Sequence, residues 1–326
     1  MRARPVIIDA NSLIIRNVMA SALSDLKADG TYTGGIYGSL NMLRSLLLMP
    51  EMDAGRIVAF FDCGVPARRL RLLPGYKGER KERRELLPEE EKEKAFAQID
   101  RCWELFPLLG VTCLAYKDRE ADDGVAATAR LWGDEAPAVI TSDRDLYQTV
   151  LFGAEVWDLG AKCWVTADGF VDVTGVHPKH YILYRTLVGD KSDSVEGVPG
   201  CGEKRALGLI NELEDEYPGV MGLREPTQQL DMLCGYIRTR GACRKYEEAL
   251  LAAHLRLRRV IPGIDLRASF GPTQGLSAAL EDAPALRPKD FLRACAALEM
   301  GSILGDPERY LTPFREAERR VSEATV

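Results

Sequence analysis

The chain has 326 residues, 46% of them hydrophobic and 28% charged, enough to bury one large core or two smaller ones. Its longest apolar runs, such as Leu46–Met49 and Ile57–Phe61, are far too short to span a bilayer. No signal-peptide pattern follows Met1, so a cytoplasmic protein without a membrane partner is expected. Eight cysteines lie no closer than nine residues apart, which excludes a zinc ribbon and argues for reduced thiols packed in the interior.

In chain order, Arg4–Asp9 reads as a strand, Asn11–Leu23 and Gly35–Met49 as helices, and Arg56–Asp62 as a second strand. A helix over Pro88–Leu109 opens with Pro-Glu-Glu-Glu, which suits the helix dipole. Strand Val111–Tyr116, helix Glu120–Trp132, strand Ala138–Thr141 and a short helix Asp143–Val150 follow. Glu155–Leu159 and Cys163–Val171 read as further strands, and from about His177 the signals turn helical. Alternating strands and helices imply a mainly parallel sheet flanked by helices, an α/β fold. The change of pattern places a boundary near residue 175, with a helical region over 176–326.

The net charge of −6 argues at first against a nucleic-acid partner, but the charges are segregated. Residues 68–84 carry eight Arg or Lys, among them Arg68, Arg69, Lys77, Arg80 and Arg84, against Glu79 and Glu82. A second basic stretch holds Arg238, Arg240, Arg244, Lys245, Arg256, Arg258 and Arg259. Taken alone, the stretch Arg68–Arg84 also reads as a solvated basic face.

Three strands end in a carboxylate: Asp9, Asp62 and, after Thr141-Ser142, Asp143. In a parallel sheet these ends share one edge, where ligands bind. Asp145 follows closely; Glu120, Asp122 and Asp123 open a helix; Asp190 and Asp193 lie in Gly-Asp-Lys-Ser-Asp. A lone Asp after a strand is often only a helix N-cap. Several carboxylates in one crevice need cations to offset their repulsion, and hard oxygen donors select Mg²⁺ or Mn²⁺. Two such ions about 4 Å apart activate water and stabilise the leaving oxygen of a phosphoryl displacement. The three histidines support little: His177-Pro178-Lys179-His180 has no further ligand nearby in sequence to complete a zinc site.

These motifs resemble the bacterial and bacteriophage 5′ nucleases, which include flap endonucleases and the N-terminal nuclease domain of DNA polymerase I. The matching segments are Ile7–Ser12, Phe60–Asp62 with Tyr76–Arg80, Glu120–Asp123, Thr141–Leu146, and Gly189–Ser194 running into Gly197–Ala206. Ser194 stands where Asn is usual, Cys201 where Ile is usual, and Lys81–Leu87 is more charged than is common. The resemblance implies a nuclease core with a helical arch at about 65–100 and a helix–hairpin–helix at about 189–213. It implies that Asp62, Glu120 and Asp122 hold one ion, and Asp143, Asp145 and Asp193 a second, while Asp9, Asp123 and Asp190 act through water.

By the same resemblance, Lys77 and Arg80 are expected to reach the scissile phosphate from one helix face, and Tyr76 to stack on a base. Arg68, Arg69, Arg84, Gly200, Gly202, Lys204 and Arg205 are expected to contact DNA, and the carbonyls of Val195, Val198 and Gly200 to bind K⁺. A monomeric, stand-alone enzyme is expected, acting on a 5′ flap, nick or free 5′ end, with RNA of RNA–DNA hybrids as a further substrate. The competing readings are a catalytically silent branched-DNA binder, a PIN-like or RNase H-type ribonuclease, and an aspartyl-phosphate phosphatase. The last needs Asp-x-Asp after the first strand, where Asp9-Ala10-Asn11 stands.

Overall fold

The structure, a computed structural model, describes residues 3–20, 25–73, 75–78, 82, 85–219, 222, 224–240, 243–268 and 274–324. They form two compact units: residues 1–64, 87–164 and 270–326 in one, 65–86 and 165–269 in the other.

The first unit is built on a six-stranded sheet. Its strands are β1 (Arg4–Asp9), β4 (Ala54–Phe61), β5 (Thr112–Ala115), β6 (Ala138–Thr141), β7 (Glu155–Asp158) and β8 (Cys163–Val165), in the order β5-β4-β1-β6-β7-β8. The pairs β1·β4, β1·β6, β4·β5 and β6·β7 are all parallel. Val6, Ile7 and Ile8 are buried, as a strand covered on both faces requires. The register sets Asp9 beside Phe60 and Ile8 beside Ile140, so the C-terminal ends of β1, β4 and β6 lie on one edge. The expected mainly parallel α/β fold is therefore present.

Details differ from the sequence reading. The first helix covers Ala10–Val18, and a two-stranded hairpin, β2 (Lys27–Ala28) with β3 (Thr31–Tyr32), follows it unannounced. Helix Glu89–Leu105 gives way at Phe106 to a 3₁₀ turn with Pro107 at its start, since proline cannot continue the helical ladder. The strand expected over Cys163–Val171 stops at Val165. There Thr166 Oγ1 accepts the Gly169 N–H at 3.2 Å, forming a turn before helix Phe170–Thr174.

The division near residue 175 also differs. Phe291, Cys295, Tyr310, Leu311 and Phe314 are buried in the same core as β1 and β4. Helices Pro288–Ala297 and Pro307–Ala324 thus belong to the α/β unit and not to a helical region over 176–326. The segment 65–100 is split as well. Residues 65–86 group with the second unit, while Gln98 Oε1 accepts the Gly35 N–H at 2.7 Å within the first.

The second unit contains helices Ala67–Leu72, Tyr181–Val188, Glu203–Glu216, Pro226–Arg240 and Lys245–Ile264. A ribbon of β9 (Gly189–Asp190) and β10 (Val195–Glu196) carries the fifth acidic motif. Gly189 has φ +77, and a Cβ there would lie 2.3 Å from Gly197 N, so only glycine fits. Among the described residues no helix is long and apolar enough to cross a membrane.

Candidate metal centre

Asp9 ends β1 and caps the helix that follows: its carboxylate accepts the Ser12 N–H at 3.0 Å and the Thr141 hydroxyl at 2.9 Å. It is 5% exposed. Burial first, then the charges of Asp122 and Asp62, push its carboxyl up to about 7, against the two hydrogen bonds. Asp62 follows β4, and its carboxylate accepts the Ala121 N–H at 2.8 Å at the start of helix Ala121–Leu131. Glu120 and Asp123 form a capping box on that helix, with Asp123 accepting the Glu120 N–H at 3.4 Å. Glu120, Asp122 and Asp123 are all buried. Asp143 accepts the Asp145 N–H at 2.8 Å and caps the 3₁₀ segment Arg144–Phe152.

Seven of the nine acids therefore sit within the first unit, on or after the C-terminal strand ends. They do not close on one point. Among the described residues no three His, Cys, Asp or Glu side chains are near enough to share a metal ion. The donor set still fits a hard divalent cation. It is made of carboxylate oxygens, and Asp9 feels negative neighbours that a cation would offset.

In the second unit, Asp190 accepts Ser192 N–H at 2.7 Å and Ser192 Oγ–H at 2.6 Å, and pairs with Arg185. Against the upward push of burial, Ser192 and the Arg185 guanidinium hold Asp190 below the usual carboxylate range. Asp193 accepts the Tyr76 hydroxyl at 3.1 Å, and Lys77 Nζ lies 3.9 Å from its other oxygen.

The basic and aromatic residues expected at the site lie in differing surroundings. Lys77 has φ +53 and is a left-handed turn residue, not a helical one. Arg80 and Arg84 lie outside the described residues. Tyr76 is 7% exposed with its hydroxyl on Asp193, which leaves little ring surface for stacking on a base. Arg69 is buried and donates to the Tyr76 hydroxyl at 3.2 Å, while Arg68 donates to the Pro262 carbonyl at 2.9 Å. Lys204 and Arg205 are exposed at the start of helix Glu203–Glu216, whose N-cap is Gly202. The Gly200 carbonyl accepts from Arg205 and the Val198 carbonyl from the Cys201 N–H, while Val195 pairs with Asp190 in the ribbon. His180 Nε2 stands 3.4 Å from Glu214 Oε2.

Sequence reasoning gave no role to the residues that hold the acids in place. Asn11 Oδ1 accepts the Asp62 N–H at 3.0 Å, and Ser12 Oγ accepts the Ser142 N–H at 2.9 Å. Thr141, Arg185 and Ser192 complete this set. All but Arg185 lie inside the acidic motifs, where a polar residue beside an invested carboxylate was the available signal.

Residues 4–176 match the family described as 5′-3′ exonuclease, N-terminal resolvase-like domain. The chain belongs to that 5′-3′ exonuclease family. It is similar to the 5′-3′ exonuclease of Bacillus subtilis, 31% identical over 218 residues, covering 64% of this chain and 70% of that protein. It is also similar to DNA polymerase I of Mycobacterium tuberculosis, 33% identical over 239 residues, covering 68% of this chain. The chain spans about 25% of the length of that polymerase.

Two solved bacteriophage T5 structures share the fold. One is the 5′-exonuclease with divalent metal ions (zinc) bound, at TM-score 0.68 and 22% identity, covering 86% of this chain and 98% of that one. The other is a flap endonuclease complex with DNA and metal ions, at TM-score 0.66 and 22% identity, covering 86% and 97%.

Proposed function

We propose that this chain is a divalent-metal-dependent, structure-specific 5′ nuclease. It hydrolyses DNA phosphodiesters at 5′ flaps, nicks or free 5′ ends and leaves 5′-phosphates, in replication, repair or recombination. The observation that carries this reading is the row of Asp9, Asp62, Glu120, Asp122, Asp123, Asp143 and Asp145 along one edge of the parallel sheet, with Asp9 pushed up to about 7. Membership of the 5′-3′ exonuclease family supports it.

In this proposal Asp62, Glu120 and Asp122, not close enough to share an ion as they stand, would draw together on one Mg²⁺ or Mn²⁺ as it binds. Asp143 and Asp145 would hold a second, Asp193 is proposed as a further metal-binding acid, and Asp9, Asp123 and Asp190 would act through water. Such ions, when bound, lower the pKa of water and neutralise charge on the leaving oxygen. The chain's own groups do the rest. Lys77, 17% exposed at its side chain, offers a fixed cation for charge developing on the phosphate, and Arg80 is proposed to join it. Tyr76 is assigned to hold Asp193. Lys204, Arg205 and the free N–H groups of helix Glu203–Glu216 bind duplex phosphates without reading sequence, so affinity falls steeply with salt. The carbonyls of Val195, Val198 and Gly200 are the proposed K⁺ ligands. The protein acts as a cytoplasmic monomer, and RNA of RNA–DNA hybrids is a further substrate.

A labelled 5′-flap duplex incubated with Mg²⁺ and with EDTA tests the reading. Cleavage with Mg²⁺, none with EDTA, and loss in Asp145→Ala are expected. Cleavage by Asp145→Ala at the wild-type rate would remove the second ion from the account.

A further inference from the structure

One hydroxyl joins two acidic motifs that are far apart in sequence. Thr141 is the last residue of β6 and is fully buried. Its Oγ1 accepts the Asp143 N–H at 2.9 Å and donates to Asp9 Oδ2 at 2.9 Å. An amide N–H can only donate, so one hydroxyl lone pair serves Asp143 and the single proton goes to Asp9. The chain of bonds continues, because Asp143 Oδ1 accepts the Asp145 N–H at 2.8 Å. Asp9, Asp143 and Asp145 are thus set in fixed register through one side chain.

A bland reading is a threonine that merely caps a turn. Such a role needs only the bond to Asp143 two residues on. It does not need a buried donor aimed at a carboxylate 132 residues away. Asp9 is itself buried, 5% exposed. A hydrogen bond to the ionised form is worth most at such a place.

The geometry points to Thr141 as a positioning residue for divalent-cation binding. It holds Asp9 and the turn carrying Asp143 and Asp145 in the arrangement that receives the ion. This rests on the metal-dependent reading above. Groups that orient metal-binding side chains typically change metal affinity by about 10–100-fold when lost.

The test compares wild type, Thr141→Val, Thr141→Ser and Ile140→Val. Mn²⁺ binding is followed by the paramagnetic resonance of the free ion, alongside the Mg²⁺ concentration for half-maximal flap cleavage and the melting temperature. Ile140 is buried on the same strand and bonds to no acid through its side chain, so Ile140→Val controls for lost packing. The inference expects Thr141→Val to weaken Mn²⁺ binding about tenfold or more and to raise the Mg²⁺ requirement in step. Thr141→Ser restores both to near wild type, and Ile140→Val moves only the melting temperature. Should Thr141→Val not fold, Thr141→Cys, with a weak donor, takes its place under the same criterion. Wild-type Mn²⁺ affinity in Thr141→Val, or equal weakening in Thr141→Ser, would overturn the positioning role while leaving metal dependence intact. Absence of Mn²⁺ binding in wild type would instead overturn the metal-dependent reading, and this inference with it.

Discussion

Lys77 and Asp193 are tied twice: the Lys77 N–H donates to the Asp193 carbonyl at 3.0 Å, and Lys77 Nζ lies 3.9 Å from the Asp193 carboxylate. The backbone tie fixes a turn in which Lys77 has φ +53. Lys77→Ala keeps that tie and removes only the cation. Single-turnover cleavage should fall by on the order of 10²–10³, as for removal of one preorganised charge-stabilising group. The melting temperature should change little. Lys77→Gly relaxes the left-handed strain and should lose the same rate without losing stability. Wild-type cleavage by Lys77→Ala would end its assignment as a catalytic group.

The raised carboxyl of Asp9 predicts a pH-dependent cost. A carboxyl whose folded pKa lies above its unfolded value takes up a proton on folding. The penalty therefore begins near pH 3.8, grows as pH rises, and is complete above about 7. In EDTA, Asp9→Asn should melt higher than wild type at pH 8, by at most a few kcal/mol, and the gap should close toward pH 4. Mg²⁺ should stabilise wild type more than the variant, because it binds the ionised folded state. Equal melting curves at pH 8 in EDTA would contradict the cost.

Gly124 lies on the helix behind the Glu120–Asp123 box, and a Cβ there would fall 2.2 Å from Phe60 Cδ1 on β4. Gly124→Ala must push the helix from the sheet or tilt the ring. A loss of about 1–3 kcal/mol is expected from overpacking. Mn²⁺ affinity should fall with it, since Asp62 and the box move relative to each other. Denaturant unfolding and Mn²⁺ titration check both effects.

Tyr76→Phe removes a donor to Asp193 and an acceptor for Arg69. A loss of about 1 kcal/mol is expected. Cleavage should fall as well, because Asp193 loses its anchor. Had Tyr76 served chiefly to stack on a base, Phe would keep the rate, so unchanged cleavage would restore the stacking role.

The strand ends were legible because burial on both faces demands a continuous apolar run, and Val6-Ile7-Ile8-Asp9 shows where that run meets solvent. The acidic set could be read for the same reason. The turn at Lys77 could not, since a left-handed non-glycine residue leaves no periodic trace. Nor could the burial of Arg69, because a run of arginines looks alike whether solvated or bonded inward. Helix Pro307–Ala324 shows an apolar face in Tyr310, Leu311, Phe314 and Ala317, but periodicity does not say what covers it. Contact with the β1–β4 core decides that, and it moved the C-terminal helices to the first unit. The link through Thr141 crosses 132 residues and follows from the sheet register alone.

The account turns on whether these carboxylates gather cations, and a crystal soaked in manganese and measured at the manganese absorption edge asks this most directly. The account predicts anomalous peaks within ligand reach of Asp62, Glu120 and Asp122, and of Asp143 and Asp145. A well-ordered sheet edge with the carboxylates in place and no peak beside any of them would contradict it.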